Sequence, residues 1–274
     1  MLTATLLALG AAVLHAGWNL AVKQSGDRFI ALWGQFFVAG VACLVALVAV
    51  GGIPAGAWFW VALSGCIHLP YCWYLARAYD HGDFSLVYPV ARGGGALLAA
   101  IGGVALLGDH LSLLAVMAIT LIGLGLFTLA GRANGPELWS AVIVALAIGA
   151  YSLSDAQGIR SSGTPAYVLA SFVGTMTTTT LFGLLSGRRA AMVGAMRVDW
   201  RRFAVIGAAA TVTYAMVQLA FQWAPVGYVT ALRESSVVIA AFAGWRMLGE
   251  SAGARRLASS AIVVSGLVLL VAAR

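Results

Sequence analysis

Two arginines lie deep inside long apolar stretches of this sequence. Arg92 and Arg233 each follow about two helical turns of uncharged residues. A charged side chain in such surroundings costs about 2.5–3.5 kcal/mol on membrane-insertion scales, so it usually faces a cavity or a partner. A guanidinium group can hold a carboxylate or phosphonate through two parallel hydrogen bonds. We therefore predict that Arg92 and Arg233 bind an anionic group, with the alternative that they tie down helix ends or backbone carbonyls.

Two acidic residues also fall in apolar stretches. Glu234 follows Arg233 directly, and because neighbours on a helix point about 100° apart, the two side chains need not pair. A carboxyl group that exchanges a proton near neutral pH could couple solute movement to proton entry, which makes Glu234 the proton-coupling candidate. The alternative is that Glu234 is an ionised counter-charge to Arg92. Asp155, near the end of its stretch, is interpreted as a boundary residue.

Aromatic, imidazole and amide side chains recur at helical spacing in the same stretches. Residues three and four apart share one face of a helix, and inward stripes of this kind suit a hydrated cavity that binds a polar ligand. The predicted lining residues, in addition to the two arginines, are His15, Trp18, Asn19, His68, Tyr88 and Tyr214. For any single residue the alternative is a hydrogen bond between helices, worth about 0.6 kcal/mol on average.

The elements that carry these residues are apolar enough to be membrane helices. Hydrophobic types make up 62% of the 274 residues, and charged types only 9%, whereas a soluble domain has about 25% charged residues. This composition excludes an ordinary cytosolic enzyme, a nucleic-acid binder and a disordered tail. The net charge of +7 lies between the apolar runs, as it does in proteins that use basic loops for orientation.

A helix needs about 20 apolar residues to cross the hydrocarbon of a bilayer. Ten stretches qualify, and together they take up nearly the whole chain. They are residues 2–22, 29–50, 57–79, 84–107, 111–130, 138–158, 166–186, 203–223, 226–248 and 256–273. The longest connection, Gly187–Arg202, is interpreted as a basic loop rather than a helix lying on the membrane surface.

The distribution of Lys and Arg predicts an orientation. Most basic residues fall in the connections between spans 1 and 2, 3 and 4, 5 and 6, 7 and 8, and 9 and 10, whereas the opposite side holds Arg160 and Arg274. The basic side is expected to be cytoplasmic. We therefore expect a multi-pass protein of a bacterial-type inner (plasma) membrane, in contact with lipids, with both termini outside the cytoplasm.

The two halves of the chain resemble each other. At one constant offset Arg92 aligns with Arg233, Asp109 with Glu250, and Gly125 with Gly266. The first unit would span residues 1–131 and the second 137–274, each with five helices. Because five is odd, the two units must enter the membrane in opposite senses. Inverted repeats of this kind build secondary transporters, with a substrate site between the halves near the middle of the membrane.

Several segments are similar to a known family. Ala76–Gly93, Ala224–Glu250 and the two five-helix halves resemble the drug/metabolite transporter (DMT) superfamily, in particular its EamA-type ten-helix branch. The resemblance implies ten transmembrane helices, as two inverted repeats around a central cavity, and alternating-access transport of a small molecule, commonly export. Leu14–Asp27 resembles a subgroup linked with phosphonate utilisation. The superfamily carries many substrate classes, so the resemblance does not name one.

The same residues weigh against other classes of function. The four His residues form no HExxH motif and no GxSxG is present, so neither a metal site nor a hydrolase is predicted. The three Cys residues lack ligand-like spacing. We predict a transporter, not an enzyme, without cofactor or nucleic acid, for an anionic or zwitterionic metabolite such as an amino acid or phosphonate. The alternatives are efflux of lipophilic cations and a non-transporting partner subunit.

Overall fold

The computed structural model describes residues 1–81, 84–130, 136–162, 166–239 and 254–273. Within these ranges the side chains of 81, 84–89, 129–130, 136–137, 254–257 and 260 are not described. The side chain of Tyr88, which the sequence predicts at the site, therefore lies outside the described residues, as does Glu250 of the predicted repeat.

The described residues are almost entirely helical and contain no strand. In chain order the helices are α1 (Leu2–Lys23), α2 (Arg28–Ala49), α3 (Trp58–His81), α4 (Phe84–Leu107), α5 (Leu113–Ala130), α6 (Pro136–Ser162), α7 (Ala166–Leu185), α8 (Arg189–Ala220), α9 (Val226–Arg233) and α10 (Ala254–Ala272). A further helical stretch follows α9 over residues 235–239. Most of these bounds lie within a few residues of the predicted spans.

The start of α8 corrects one interpretation of the sequence. The sequence predicts a basic loop over Gly187–Arg202, but from Arg189 onward this segment forms the first turns of a helix that continues to Ala220. The segment is rich in Ala and Met, which favour helix. Met192 is buried and packs against Gly183 of α7, so tertiary contact holds these turns in place.

Six helices of the described residues are long and apolar enough to cross a membrane: α1, α2, α4, α6, α7 and α8. Their outer surfaces carry large apolar side chains; Val41, Val45 and Val48 form an exposed row on α2. Polar side chains such as Gln35 of the same helix are buried instead. This arrangement, apolar outside and polar inside, is that of a multi-pass membrane protein.

Ion pairs connect the helix termini in two groups, one at each end of the bundle. At the α1–α2 end, where α1 ends and α2 begins, Arg28 pairs with Asp80 and Asp27 with Arg188. The α8–α9 end is where α8 ends and α9 begins. There Arg160 pairs with Asp109 at 2.8 Å. α1 and α3 therefore end on the side opposite to the ends of α6 and α8.

Close backbone contact between α3 and α7 depends on small residues. A Cβ added at Gly174 would lie 2.9 Å from the carbonyl oxygen of Val61, and one at Gly65 would lie 2.9 Å from the backbone of Gly174. The Thr178 hydroxyl uses this proximity and donates to the carbonyl of Gly65 at 2.7 Å. Small residues let membrane helices pack closely, which matters because the hydrophobic effect does not drive helices together in lipid.

Substitution of Gly174 by Ala is expected to separate α3 from α7 and to destabilise the protein. The added methyl group meets the Val61 carbonyl, which belongs to the backbone and cannot rotate away. We expect a loss of about 1–3 kcal/mol, the usual cost of overpacking, measured as a lower midpoint of thermal unfolding in detergent. The matched control is Gly17→Ala on α1, where a Cβ meets nothing within 4 Å. Equal midpoints for the two variants would contradict the prediction.

Candidate functional site

The segment that carries Arg233 and Glu234 is interrupted at Glu234. α9 ends at Arg233, and the Glu234 N–H donates to the carbonyl of Ala231 at 3.0 Å, three residues back instead of four. Helical turns resume over 235–239. The Ser235 hydroxyl donates to the carbonyl three residues before it, and such bonds compete with the helix ladder. Ser171 makes the same bond within the unbroken α7, so the serine accompanies the interruption but does not by itself explain it.

Glu234 forms a buried ion pair with Arg92 of α4. Nη2 of Arg92 donates to Oε1 of Glu234 at 2.8 Å, and the two side chains are only 4% and 1% exposed. Three glycines after Arg92 let α4 approach its neighbours; a Cβ at Gly95 would lie 2.5 Å from Cγ2 of Ile148 on α6. Glu234 is thus in contact with Arg92 as a counter-charge would be, and its role in proton coupling stays a prediction.

A cavity lies beside this ion pair, and side chains from seven helices line it. Its wall combines one guanidinium group, two imidazoles, several aromatic rings and three hydroxyl-bearing Ser or Thr residues. The lining residues are His15, Trp18, Phe36, His68, Tyr71, Tyr151, Ser171, Phe172, Thr175, Ala210, Thr213, Tyr214 and Arg233. The cavity therefore joins residues from nearly the whole length of the chain.

Stacked and edge-to-face rings hold the polar atoms of the cavity in place. The ring of His68 stacks on Tyr151 with centroids 4.4 Å apart. Nδ1 of His68 is 2.8 Å from the carbonyl oxygen of Ser64, and because a carbonyl only accepts, this nitrogen carries the proton. Cζ of Arg233 lies 5.8 Å from the centre of the Tyr214 ring, within the range of a cation–π contact.

The cavity is small in this conformation. Its volume is about 30 Å³, whereas pockets that enclose a drug-sized ligand measure about 300–1,000 Å³. In this conformation the cavity is too small for a metabolite. Side chains of the wall must move apart before a larger molecule can bind.

A second buried carboxylate lies behind the cavity wall. Asp155 of α6 is fully buried and accepts hydrogen bonds from Tyr167 at 2.9 Å and from Tyr214 at 2.6 Å. The interpretation of Asp155 as a boundary residue is therefore wrong, because α6 continues two turns beyond it. Tyr214 connects the cavity to this carboxylate, because its ring lines the cavity and its hydroxyl donates to Asp155.

The structure brings most of the predicted site residues together. His15, Trp18, His68, Tyr214 and Arg233 line the cavity. Arg92 and Glu234 form the adjacent ion pair. Asn19 instead links α1 to α3, because its Oδ1 accepts from the hydroxyl of Tyr79, whereas its Nδ2 donates to the carbonyl of His15 within α1. The contacts of Asn19 thus match the alternative interpretation, a hydrogen bond between helices.

Sequence reasoning missed part of the wall. Tyr151 lines the cavity, and Asp155, one turn later on the same helical face, lies behind the wall although the sequence predicts a boundary residue. Ser171 and Thr175 show the same spacing on α7 and both line the cavity. Phe36 carries no comparable signal, because an aromatic residue in an apolar span is equally suited to a lipid-facing position.

Removal of either member of the Arg92–Glu234 pair is expected to destabilise the fold strongly. Arg92→Met or Glu234→Leu leaves one charge buried without its partner, which costs about 3–5 kcal/mol. The double variant removes both charges and should be more stable than the worse single variant. Thermal unfolding of the four proteins in detergent gives the coupling energy.

The exposed pair of Arg28 and Asp80 is the control for this cycle. Its side chains are 24% and 43% exposed, so its coupling energy should stay below about 1 kcal/mol. Strictly additive effects of the Arg92 and Glu234 substitutions would show that the two charges do not stabilise each other.

Comparisons with known proteins define the fold and nothing finer. No known protein-family profile matches the chain, and no curated protein sequence matches it. Solved structures do resemble it: 29 chains match. One is a crystal structure with a TM-score of 0.74 at 17% sequence identity, over 98% of this chain and 98% of that one. At this identity the similarity shows a shared fold over nearly the full length.

Proposed function

We propose that this protein is a secondary transporter, of the EamA type of the drug/metabolite transporter superfamily. It would carry a small anionic or zwitterionic metabolite, such as an amino acid or phosphonate, outward by alternating access. One observation carries the proposal: the buried Arg233 lines a central cavity whose wall comes from helices of both predicted halves. Because a charge inside a membrane is costly, such a residue is by default a candidate for a substrate pathway.

The packing of the helices supports the two inverted halves, residues 1–131 and 137–274. α1 packs against α8, and α3 packs against α6. If α6 is the counterpart of α1, and α8 the counterpart of α3, the repeat turns the contact of α1 with α8 into the contact of α6 with α3. Individual hydrogen bonds show the same exchange of α1 with α6 and of α3 with α8. Lys23 of α1 donates to the carbonyl of Tyr79 on α3, and Arg160 of α6 donates to the carbonyl of Phe221 after α8.

The interrupted helix supports a substrate site at the same place. Transporters commonly bind substrates where a membrane helix is broken, because the break frees backbone groups and helix ends. Here the break at Glu234 adjoins Arg233, which lines the cavity. The adjacent Arg92–Glu234 pair contacts this break from the first half.

The two ends of the bundle are closed in different ways, which supports alternating access. At the α8–α9 end Asp109 accepts from Arg160 and from the N–H of Val226, and Arg160 also donates to the carbonyls of Phe221 and Ala224. At the α1–α2 end a cavity of about 330 Å³ lies among partly exposed ion pairs. We infer that this second end, rich in Arg, faces the cytoplasm and opens first.

The charges around the cavity favour an anion or a zwitterion. Arg233 is part of the wall, whereas the carboxylates of Glu234 and Asp155 already accept bonds from Arg92 and from two tyrosines. A substrate carboxylate or phosphonate would bind Arg233. The ammonium group of a zwitterion would lie over a tyrosine ring in a cation–π contact.

The aromatic wall also favours a second candidate, efflux of lipophilic cations. Rings such as Tyr151, Tyr214 and Phe172 suit a flat cation, and Asp155 lies directly behind Tyr214. In that case Asp155, rather than Glu234, would supply the balancing charge. A partner subunit without transport activity remains the third class and predicts no ligand for the cavity.

A ligand panel separates these candidates. We would measure thermal stabilisation of the purified protein by amino acids, phosphonates, nucleosides and quaternary cations. A ligand at 100 times its Kd stabilises by about 2.7 kcal/mol. Stabilisation by acids or zwitterions supports the proposal, stabilisation by cations alone supports the second candidate, and no stabilisation supports the subunit. Proton coupling is tested in vesicles, where a flux that ignores an imposed pH gradient would exclude it.

Arg233→Ala is expected to weaken binding of the stabilising anion or zwitterion by roughly 10- to 100-fold, because it removes a charge-assisted hydrogen bond. The measurement is the Kd from thermal shift, followed by flux in vesicles. Arg201→Ala is the control, since Arg201 is exposed on α8 and contacts Trp200. An unchanged Kd in Arg233→Ala would contradict the assignment of Arg233.

Asp109→Asn is expected to open the α8–α9 end more often, because the amide can no longer pair with Arg160. The readout is labelling of Ala224→Cys, in a protein without native cysteines, by a membrane-impermeant maleimide. Ala224 is buried and accepts a bond from Arg160. We expect severalfold faster labelling with Asp109→Asn. Asp80→Asn, at the other end, serves as the control and should leave the rate unchanged.

A further inference from the structure

A second, separate groove lies on the outer side of the α1–α2 end. It runs between α2, α7 and the first turns of α8, and its volume is about 340 Å³. Its lining is apolar except for one hydroxyl and two guanidinium groups. The lining residues are Trp33, Phe37, Thr180, Leu184, Arg189, Met192, Val193, Met196 and Arg197. The central cavity shares none of them.

The floor of the groove is rigid. Nε1 of Trp33 donates to the hydroxyl of Thr180 on α7 at 3.0 Å, and its ring packs on Phe37 with centroids 5.3 Å apart. Met192 is buried and holds the first turns of α8 against α7. The apolar floor is thus held by contacts among α2, α7 and α8, and the one hydroxyl of the lining already has a partner.

The rim of the groove has the character of a membrane surface. Leu185 and Val198 beside it are 87% and 80% exposed, and Trp200 on the next turn is half exposed. Exposed arginines alternate with these apolar side chains along the start of α8. A helix with apolar side chains, Trp and Arg at its surface suits the boundary between lipid headgroups and acyl chains.

The two arginines of the groove have no ion-pair partner among the described residues. Arg188, the residue before α8, pairs with Asp27. Arg189 and Arg197 form no ion pair within the described part of the chain, and both are exposed. A basic pocket between membrane helices, next to apolar walls, matches the headgroup of an anionic lipid.

We propose that this groove binds an anionic phospholipid. The phosphate contacts Arg189 and Arg197, and an acyl chain lies along Phe37, Leu184 and Met196. A soluble anion would leave the apolar floor uncovered. A neutral phospholipid would leave the second positive charge unbalanced. The site is independent of the transported substrate, because it lies outside the central cavity.

The test uses delipidated protein in a neutral detergent with added lipid. We expect phosphatidylglycerol to raise the midpoint of thermal unfolding by several degrees, and phosphatidylcholine to raise it much less. Glycerol phosphate, which has the headgroup phosphate but no acyl chains, should have no effect. Equal effects of phosphatidylglycerol and phosphatidylcholine, or an equal effect of glycerol phosphate, would overturn the proposal.

A matched pair of variants locates the site. Arg197→Gln and Arg201→Gln remove the same charge from the same exposed segment of α8, but only Arg197 lines the groove. We expect the apparent affinity for phosphatidylglycerol to fall about fivefold in Arg197→Gln and to stay within twofold in Arg201→Gln. The double variant Arg189→Gln/Arg197→Gln should lose the preference over phosphatidylcholine.

Each variant is first compared without lipid. Arg189, Arg197 and Arg201 are exposed and form no ion pair within the described residues. Without lipid, the midpoint of thermal unfolding of each variant should therefore equal that of the wild type. Equal losses of lipid affinity in Arg197→Gln and Arg201→Gln would mean that the whole basic surface attracts the lipid, and the groove would be excluded as a site.

Discussion

The ion pair between Arg92 and Glu234 is the interaction around which the interior is arranged. A charge buried away from water is stable only beside an opposite charge of good geometry, and these two side chains are nearly inaccessible. The constraint reaches into the neighbouring sequence. Glycines after Arg92 bring α4 close to α6, and a serine after Glu234 accompanies the interruption of the helix. Both features lie next to the two charges in the chain.

Several other buried polar groups also have hydrogen-bond partners. Asp155 accepts from two tyrosines, the Nδ1–H of His68 donates to a carbonyl, and Asn19 both donates and accepts. Of these groups, His68 is part of the cavity wall, and Asp155 binds the hydroxyl of Tyr214 from behind it. The cavity has polar residues in its wall yet a volume of only about 30 Å³. Such a site is preformed in its chemistry but closed in its shape.

The two ends of the bundle divide the remaining charges unequally. At the α8–α9 end one arginine and one aspartate connect three chain segments through hydrogen bonds to side chains and backbone. At the α1–α2 end the ion pairs are partly exposed to solvent, and the first turns of α8 extend the bundle beyond the central cavity. Exposed pairs contribute little stability, so this end can rearrange at low cost. The same extension of α8 creates the outer groove.

Much of this protein follows from its sequence alone, because apolar length and helical spacing are local properties. They predict most helix bounds within a few residues, the interior position of Arg92 and Arg233, and the shared face of His15 with Trp18. Only the tertiary structure decided which faces meet. It paired Glu234 with Arg92, buried Asp155 between two tyrosines and turned Asn19 towards another helix. It also made the start of α8 helical through contact with α7. Each of these depends on residues far apart in the chain, and helical periodicity carries no information about which distant side chain will be the partner.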